Sequence, residues 1–98
     1  MTRDELVELT GDDELLFADG FDDCILGVTA HQPGRPQVAV YDARAMLRQL
    51  VDQDGFTEED AQEHLSYNVF GAWVGERTPV YIHTEALPVP SGEEGTER

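Results

Sequence analysis

Residues 67–79 read Tyr67-Asn68-Val69-Phe70-Gly71-Ala72-Trp73-Val74-Gly75-Glu76-Arg77-Thr78-Pro79. This stretch holds the single tryptophan, a tyrosine, an asparagine and the adjacent pair Glu76 and Arg77. Large aromatic side chains beside a few polar groups are what a small-ligand or peptide pocket is made of. Tyr67, Asn68, Trp73, Glu76 and Arg77 are therefore the first candidates for a ligand or partner site. A purely structural reading competes with this one. In it Phe70 and Trp73 fill the core, and Asn68 hydrogen-bonds the backbone of the loop that follows.

A second candidate is a run of carboxylates: Asp52, Asp54, Glu58, Glu59, Asp60 and Glu63. No Lys or Arg occurs from Gln49 to Glu76. Such a surface suits a partner with a basic patch. A track of carboxylates can also imitate nucleic-acid phosphates and occupy a basic groove. A third meaning is adaptation to a salty cytoplasm, where carboxylates hold hydrated cations.

Other chemistry finds little support. Asp52-Gln53-Asp54-Gly55 looks like part of a calcium loop, but the first and twelfth positions would fall on Leu50 and Ala61, where carboxylates are needed. His31, His64 and His83 lie too far apart to form a metal signature, and no close Cys/His pair exists. Cys24 sits in an apolar run and reads as a small buried hydrophobe rather than a nucleophile. Gly71 to Gly75 follows a helix instead of opening one and lacks the lysine of a phosphate loop. No catalytic residue, metal ligand or cofactor is assigned.

The whole chain shares the acidity of the track. Its 98 residues carry 21 Asp and Glu against 6 Lys and Arg, for a formal net charge of -15. All the bases are arginines. Direct binding to nucleic acid or to an anionic membrane is disfavoured. A single cysteine excludes an internal disulfide framework and suits a reducing compartment. No signal sequence opens the chain, and no apolar run approaches the roughly 20 residues of a membrane span. A cytoplasmic protein is expected, in the host cytoplasm if the gene is viral. The oligomeric state is left open.

Local patterns place the candidates on elements. Residues 1–19 form an acidic extension with enough apolar residues for a turn or two of helix. Residues 24–30 are apolar and β-branched and read as a buried strand, with Gly27 marking a bulge or a close backbone approach. Pro33-Gly34 makes a tight turn, and 37–41 form a second strand, giving an antiparallel hairpin. Asp42 caps a helix whose Ala43, Met46, Leu47, Leu50 and Val51 share one face, and Gly55 ends it. Thr57 caps a second helix, with Ala61, Leu65, Val69 and then Ala72-Trp73 as its inner stripe. Pro79 opens a third strand over 78–83. The expectation is a small α+β domain over 20–84, ordered β-β-α-α-β. Its antiparallel three-stranded sheet carries both helices on one face. Residues 85–98 read as a disordered acidic tail.

Four blocks of this chain also carry a family pattern. They are Phe21-Asp22-Asp23-Cys24-Ile25-Leu26-Gly27, then Val38-Ala39-Val40-Tyr41-Asp42, then Asp54-Gly55-Phe56-Thr57-Glu58-Glu59-Asp60-Ala61, then Tyr67 through Glu76 with Thr78-Pro79. Together they resemble a group of small uncharacterised proteins encoded by tailed phages and prophages. Cys24 replaces an alanine of that pattern, Phe56 a methionine and Tyr67 a phenylalanine, and Asp60 is an added residue before Ala61. The resemblance covers about two thirds of the chain. It implies a viral accessory protein and supplies no catalytic residues. The acid-rich, lysine-free composition would suit a halophilic or GC-rich host.

Three functions are therefore carried forward. The first is a non-enzymatic accessory protein that acts by contact with another protein. The second is an anti-defence or regulatory inhibitor that mimics nucleic acid. The third is a small-ligand binder with a pocket near Trp73.

Overall fold

The computed structural model describes residues 1–84, and the tail expected over 85–98 lies outside the described residues. The elements are helix α1 (Arg3–Thr10), strand β1 (Ile25–Val28), strand β2 (Ala39–Asp42), helix α2 (Ala43–Asp54), helix α3 (Glu58–Leu65) and strand β3 (Val80–Ile82). This is an α+β fold with β2 at the centre of the sheet. No helix among the described residues is long and apolar enough to cross a membrane.

The hairpin forms as the turn residues demand. Pro33 fixes φ at the first corner, and Gly34 takes a φ of 83° at the second, which a side chain would resist. Thr29 and Val38 close the stem through a 2.9 Å backbone bond. β1 and β2 then pair antiparallel, with the register slipping between Ile25 and Gly27. That bulge falls where Gly27 announced it. β1 starts one residue into the apolar run because Asp22–Cys24 wind into a 3-10 turn first, and it ends at Val28.

The third strand departs from expectation. β3 pairs with β2 in parallel, so the sheet is mixed rather than antiparallel. The cause is the connection. A parallel pair needs a crossover of roughly a dozen residues or more, usually helical. α2, α3 and the loop over 71–79 supply it, returning the chain to the end of the sheet where β2 began. An antiparallel sheet would have needed the chain to enter β3 from the other end.

Helix boundaries follow local chemistry. The Asp42 carboxylate accepts the Arg44 and Ala45 amides at 3.0 and 3.2 Å. Gly55 ends α2 in the left-handed region at φ 77°. The Thr57 hydroxyl accepts the Asp60 amide at 3.1 Å. α1 carries a reciprocal cap: Thr2 accepts from the Glu5 amide while the Glu5 carboxylate accepts from the Thr2 amide.

Alternation along β2 buries Ala39 and Tyr41 on one face of the sheet. Against it pack Met46 and Leu50 of α2 and Ala61 and Leu65 of α3. Leu6 of α1, Leu15 and Phe21 join the same cluster. The acidic N-terminal segment therefore contributes apolar side chains to the common core. The opposite face of the sheet holds Val40 beside its register partner Val80. There Val80 is 40% exposed.

Candidate functional site

α3 runs directly into a widened, π-helical turn over Ser66–Phe70. Such turns insert an extra residue into the helical repeat and recur at functional sites. Here the turn swings Phe70 inward, where its ring lies 4.9 Å from that of Tyr81. It leaves Tyr67 79% exposed. Gly71 follows it, at a position where a Cβ would lie only 3.0 Å from the Ser66 carbonyl oxygen. A second turn follows at once. The Thr78 hydroxyl accepts the Val74 amide at 2.9 Å and donates to the Gly75 carbonyl at 2.6 Å. Gly75 sits at φ 110°.

These two turns separate the five aromatic-segment candidates. Tyr67 and Asn68 line an open groove of about 540 Å³ with Asp54, Asp60, Glu63 and His64. Trp73 and Glu76 line another, of about 430 Å³, with Arg35, Pro36, Val38 and Val80. Trp73 is 75% exposed, so it is not part of the inner stripe of α3. The helical rotation that would have turned it inward stops at Phe70. Asn68 does not bond the following loop; its Nδ2 lies 3.4 Å from Nδ1 of His64, one turn back.

Arg77 is committed elsewhere. Its Nε donates to Asp12 Oδ2 at 2.9 Å, and its Nη1 lies 3.6 Å from Glu14 Oε1. The Asp12 carboxyl is held below its ordinary value, first by that bond and then by the Glu14 backbone amide. Arg3 does the same work at the other end of the segment. It bridges Asp22 at 2.8 Å and Asp19 at 3.0 Å, and its guanidinium sits 5.0 Å from the Phe17 ring centre. Four of the N-terminal carboxylates are thus tied to arginines.

The carboxylate track also divides. Tyr67 stands between two grooves. Asp54, Asp60 and Glu63 wall one, and Glu58, Glu59 and Glu63 wall the other, of about 580 Å³. Five acids of the track therefore flank a single exposed aromatic ring. Asp52 lies in neither groove and sits 4.0 Å from Arg48. No charged residue among those described is buried.

Cys24 is buried, and its thiol donates to Gln49 Oε1 at 3.6 Å. Burial, then the charges of Asp42 and Asp23, push its pKa up to about 11. A thiol so held stays protonated and unreactive at neutral pH. Among the described residues no three His, Cys, Asp or Glu side chains converge to hold a metal ion.

One hollow has almost no signature in the sequence. Leu16, Phe17, Phe21, Val69, Pro79 and Tyr81 line a half-open hollow of about 350 Å³, with Asp19 and Asn68 also in the lining. Its only sequence signal was the apolar run Leu15-Leu16-Phe17 with Phe21 close behind. Nothing local indicated that this run would face the widened turn of α3. Comparison with protein-family models, curated proteins and solved structures gives no match to this chain.

Proposed function

We propose that this protein works by binding another protein, without catalysis, through the surface around Tyr67. One observation carries this reading: a nearly fully exposed tyrosine flanked by Asp54, Glu58, Glu59, Asp60 and Glu63. Exposed aromatic rings are favoured anchors of protein interfaces. The surrounding carboxylates select a partner with arginines or lysines around an apolar or aromatic anchor point. They also steer its approach and repel acidic surfaces. Cation–π contact between a partner arginine and the Tyr67 ring fits the same arrangement. The resemblance to phage-encoded proteins gives the activity its setting, that of a small viral accessory protein in a host cytoplasm.

The test compares capture of host-extract proteins by the native chain and by Tyr67→Ala and Glu59→Gln/Glu63→Gln variants. A specific partner should bind the native protein, bind less as salt rises, and be lost from both variants. An unchanged set of captured proteins would remove the reading. Displacement of the partner by duplex DNA would mean that the carboxylates stand in for phosphates, the nucleic-acid mimic.

A further inference from the structure

The hollow between residues 16–21, the widened turn and Pro79–Tyr81 is distinct from the Tyr67 surface, and its walls have a different character. The rings of Phe17, Phe21 and Tyr81 line it, with Val69 and Pro79 between them. At about 350 Å³ it falls within the range of small-ligand sites. The polar side chains in its lining are those of Asp19 and Asn68, with the hydroxyl of Tyr81. A mostly apolar wall with a few placed polar groups is the usual composition of such a site.

The walls are also fixed in place before any ligand arrives. Arg3 ties Asp19 and Asp22 at one end of the lining segment. Arg77 ties Asp12 and Glu14 at the other. Between them the Ala18 amide donates to the buried Tyr41 hydroxyl at 2.8 Å. Phe70 and Tyr41 both pack on the Tyr81 ring, with centroids 4.9 and 5.6 Å away. A pocket with anchored walls spends little binding energy on ordering itself.

Charge then narrows the ligand. The Asp19 side chain is 95% exposed, and it shares the single Arg3 guanidinium with Asp22, so this cluster keeps one net negative charge on a chain that carries -15 as a whole. An anion would meet repulsion at the mouth, and a cation would be drawn to it. We infer that this hollow binds a small aromatic amine. The ring system lies among Phe17, Phe21, Val69 and Tyr81, and the ammonium group faces Asp19 and the Asn68 carbonyl oxygen. Asn68 borders both this hollow and the Tyr67 groove, but neither Tyr67 nor the carboxylate track lines the hollow, so the inference does not rest on the Tyr67 surface.

The test is a two-dimensional NMR titration of the full chain with tryptamine, indole and indole-3-acetate. Tryptamine should give saturable shifts confined to the amides of residues 16–21, 68–74 and 80–81. It should bind about tenfold more tightly than the acetate, with indole between them, as expected for one charge meeting a nearby carboxylate. Ala72→Trp, which places bulk in the lining from an exposed position, should abolish the shifts while the rest of the spectrum is kept. Asp19→Asn should retain indole binding and narrow the gap between amine and acid. Absence of saturable shifts at these residues would overturn the inference. So would an acetate that binds as tightly as the amine, or shifts that survive Ala72→Trp in a folded protein.

Discussion

Arg77 Nε donates to Asp12 Oδ2 at 2.9 Å and joins two loops 65 residues apart in the chain. The contact fastens the segment that follows α1 to the turn that leads into β3. It also removes Arg77 from the set of groups open to a ligand. Its pH dependence has a definite sign. The Asp12 carboxyl is depressed in the folded protein from an ordinary value of 3.8. The folded state therefore binds that proton less readily than the unfolded chain, and the contribution to stability is present above 3.8 and lost as pH falls through the folded value. Asp12→Asn should lower the urea midpoint at neutral pH, and the difference from the native protein should close in strong acid. A difference that stays constant across that range would show that the charge of Asp12 plays no part.

Tyr41 should be sensitive to loss of a single oxygen. It is the largest of the fully buried side chains, and its hydroxyl accepts the Ala18 amide. Tyr41→Phe keeps the ring and leaves that amide without its acceptor. The expected loss is about 1–3 kcal/mol, measured by urea unfolding. A loss below about 0.5 kcal/mol would mean that the Ala18 amide finds water instead.

Gly75 is fixed by backbone conformation rather than by space. A Cβ there meets nothing within 4 Å, yet φ is 110°. Gly75→Ala should cost about 1–3 kcal/mol from strain alone. Trp73 lies two residues earlier on the same loop, so its emission should shift as the loop relaxes. Gly55→Ala, also at positive φ but at the end of α2 and outside the groove that Trp73 lines, serves as the control and should leave Trp73 emission unchanged.

Salt should stabilise this protein. All the acids of the described residues are exposed or partly so, and only some of them meet an arginine. Their mutual repulsion is screened over about 3 Å at 1 M salt, against about 30 Å at 0.01 M. The melting temperature should therefore climb steadily as NaCl is raised from millimolar to molar levels. A flat profile would withdraw the connection between the acid excess and a saline host.

Legibility in the sequence tracked the range of the forces involved. Asp42, Gly55 and Thr57 act on amides a few residues away, so α2 and the start of α3 could be located from side-chain type alone. Pro33-Gly34 and Gly27 fixed the hairpin and its bulge for the same reason. Trp73 was harder, because an apolar residue at helical spacing reads as core. The widened turn ends the helix at Phe70, before that spacing reaches it. The aromatic segment was visible as a run of unusual residues. Its division between two grooves was not, since that depends on how the loop over 71–79 meets the β1–β2 hairpin.

The sequence by itself determined the α+β class, the hairpin, the capped helices and an acidic surface without lysine. Each rests on local backbone preference or on composition. Tertiary structure alone decided that β3 runs parallel to β2, because where the α2–α3 crossover delivers the chain is set by how those helices pack on the sheet. It also decided that Leu6, Leu15 and Phe21 belong to the core, that Arg77 closes on Asp12, and that Phe17 and Tyr81 share a hollow. Those contacts join residues far apart in the chain, and their free energy exists only once the chain has folded.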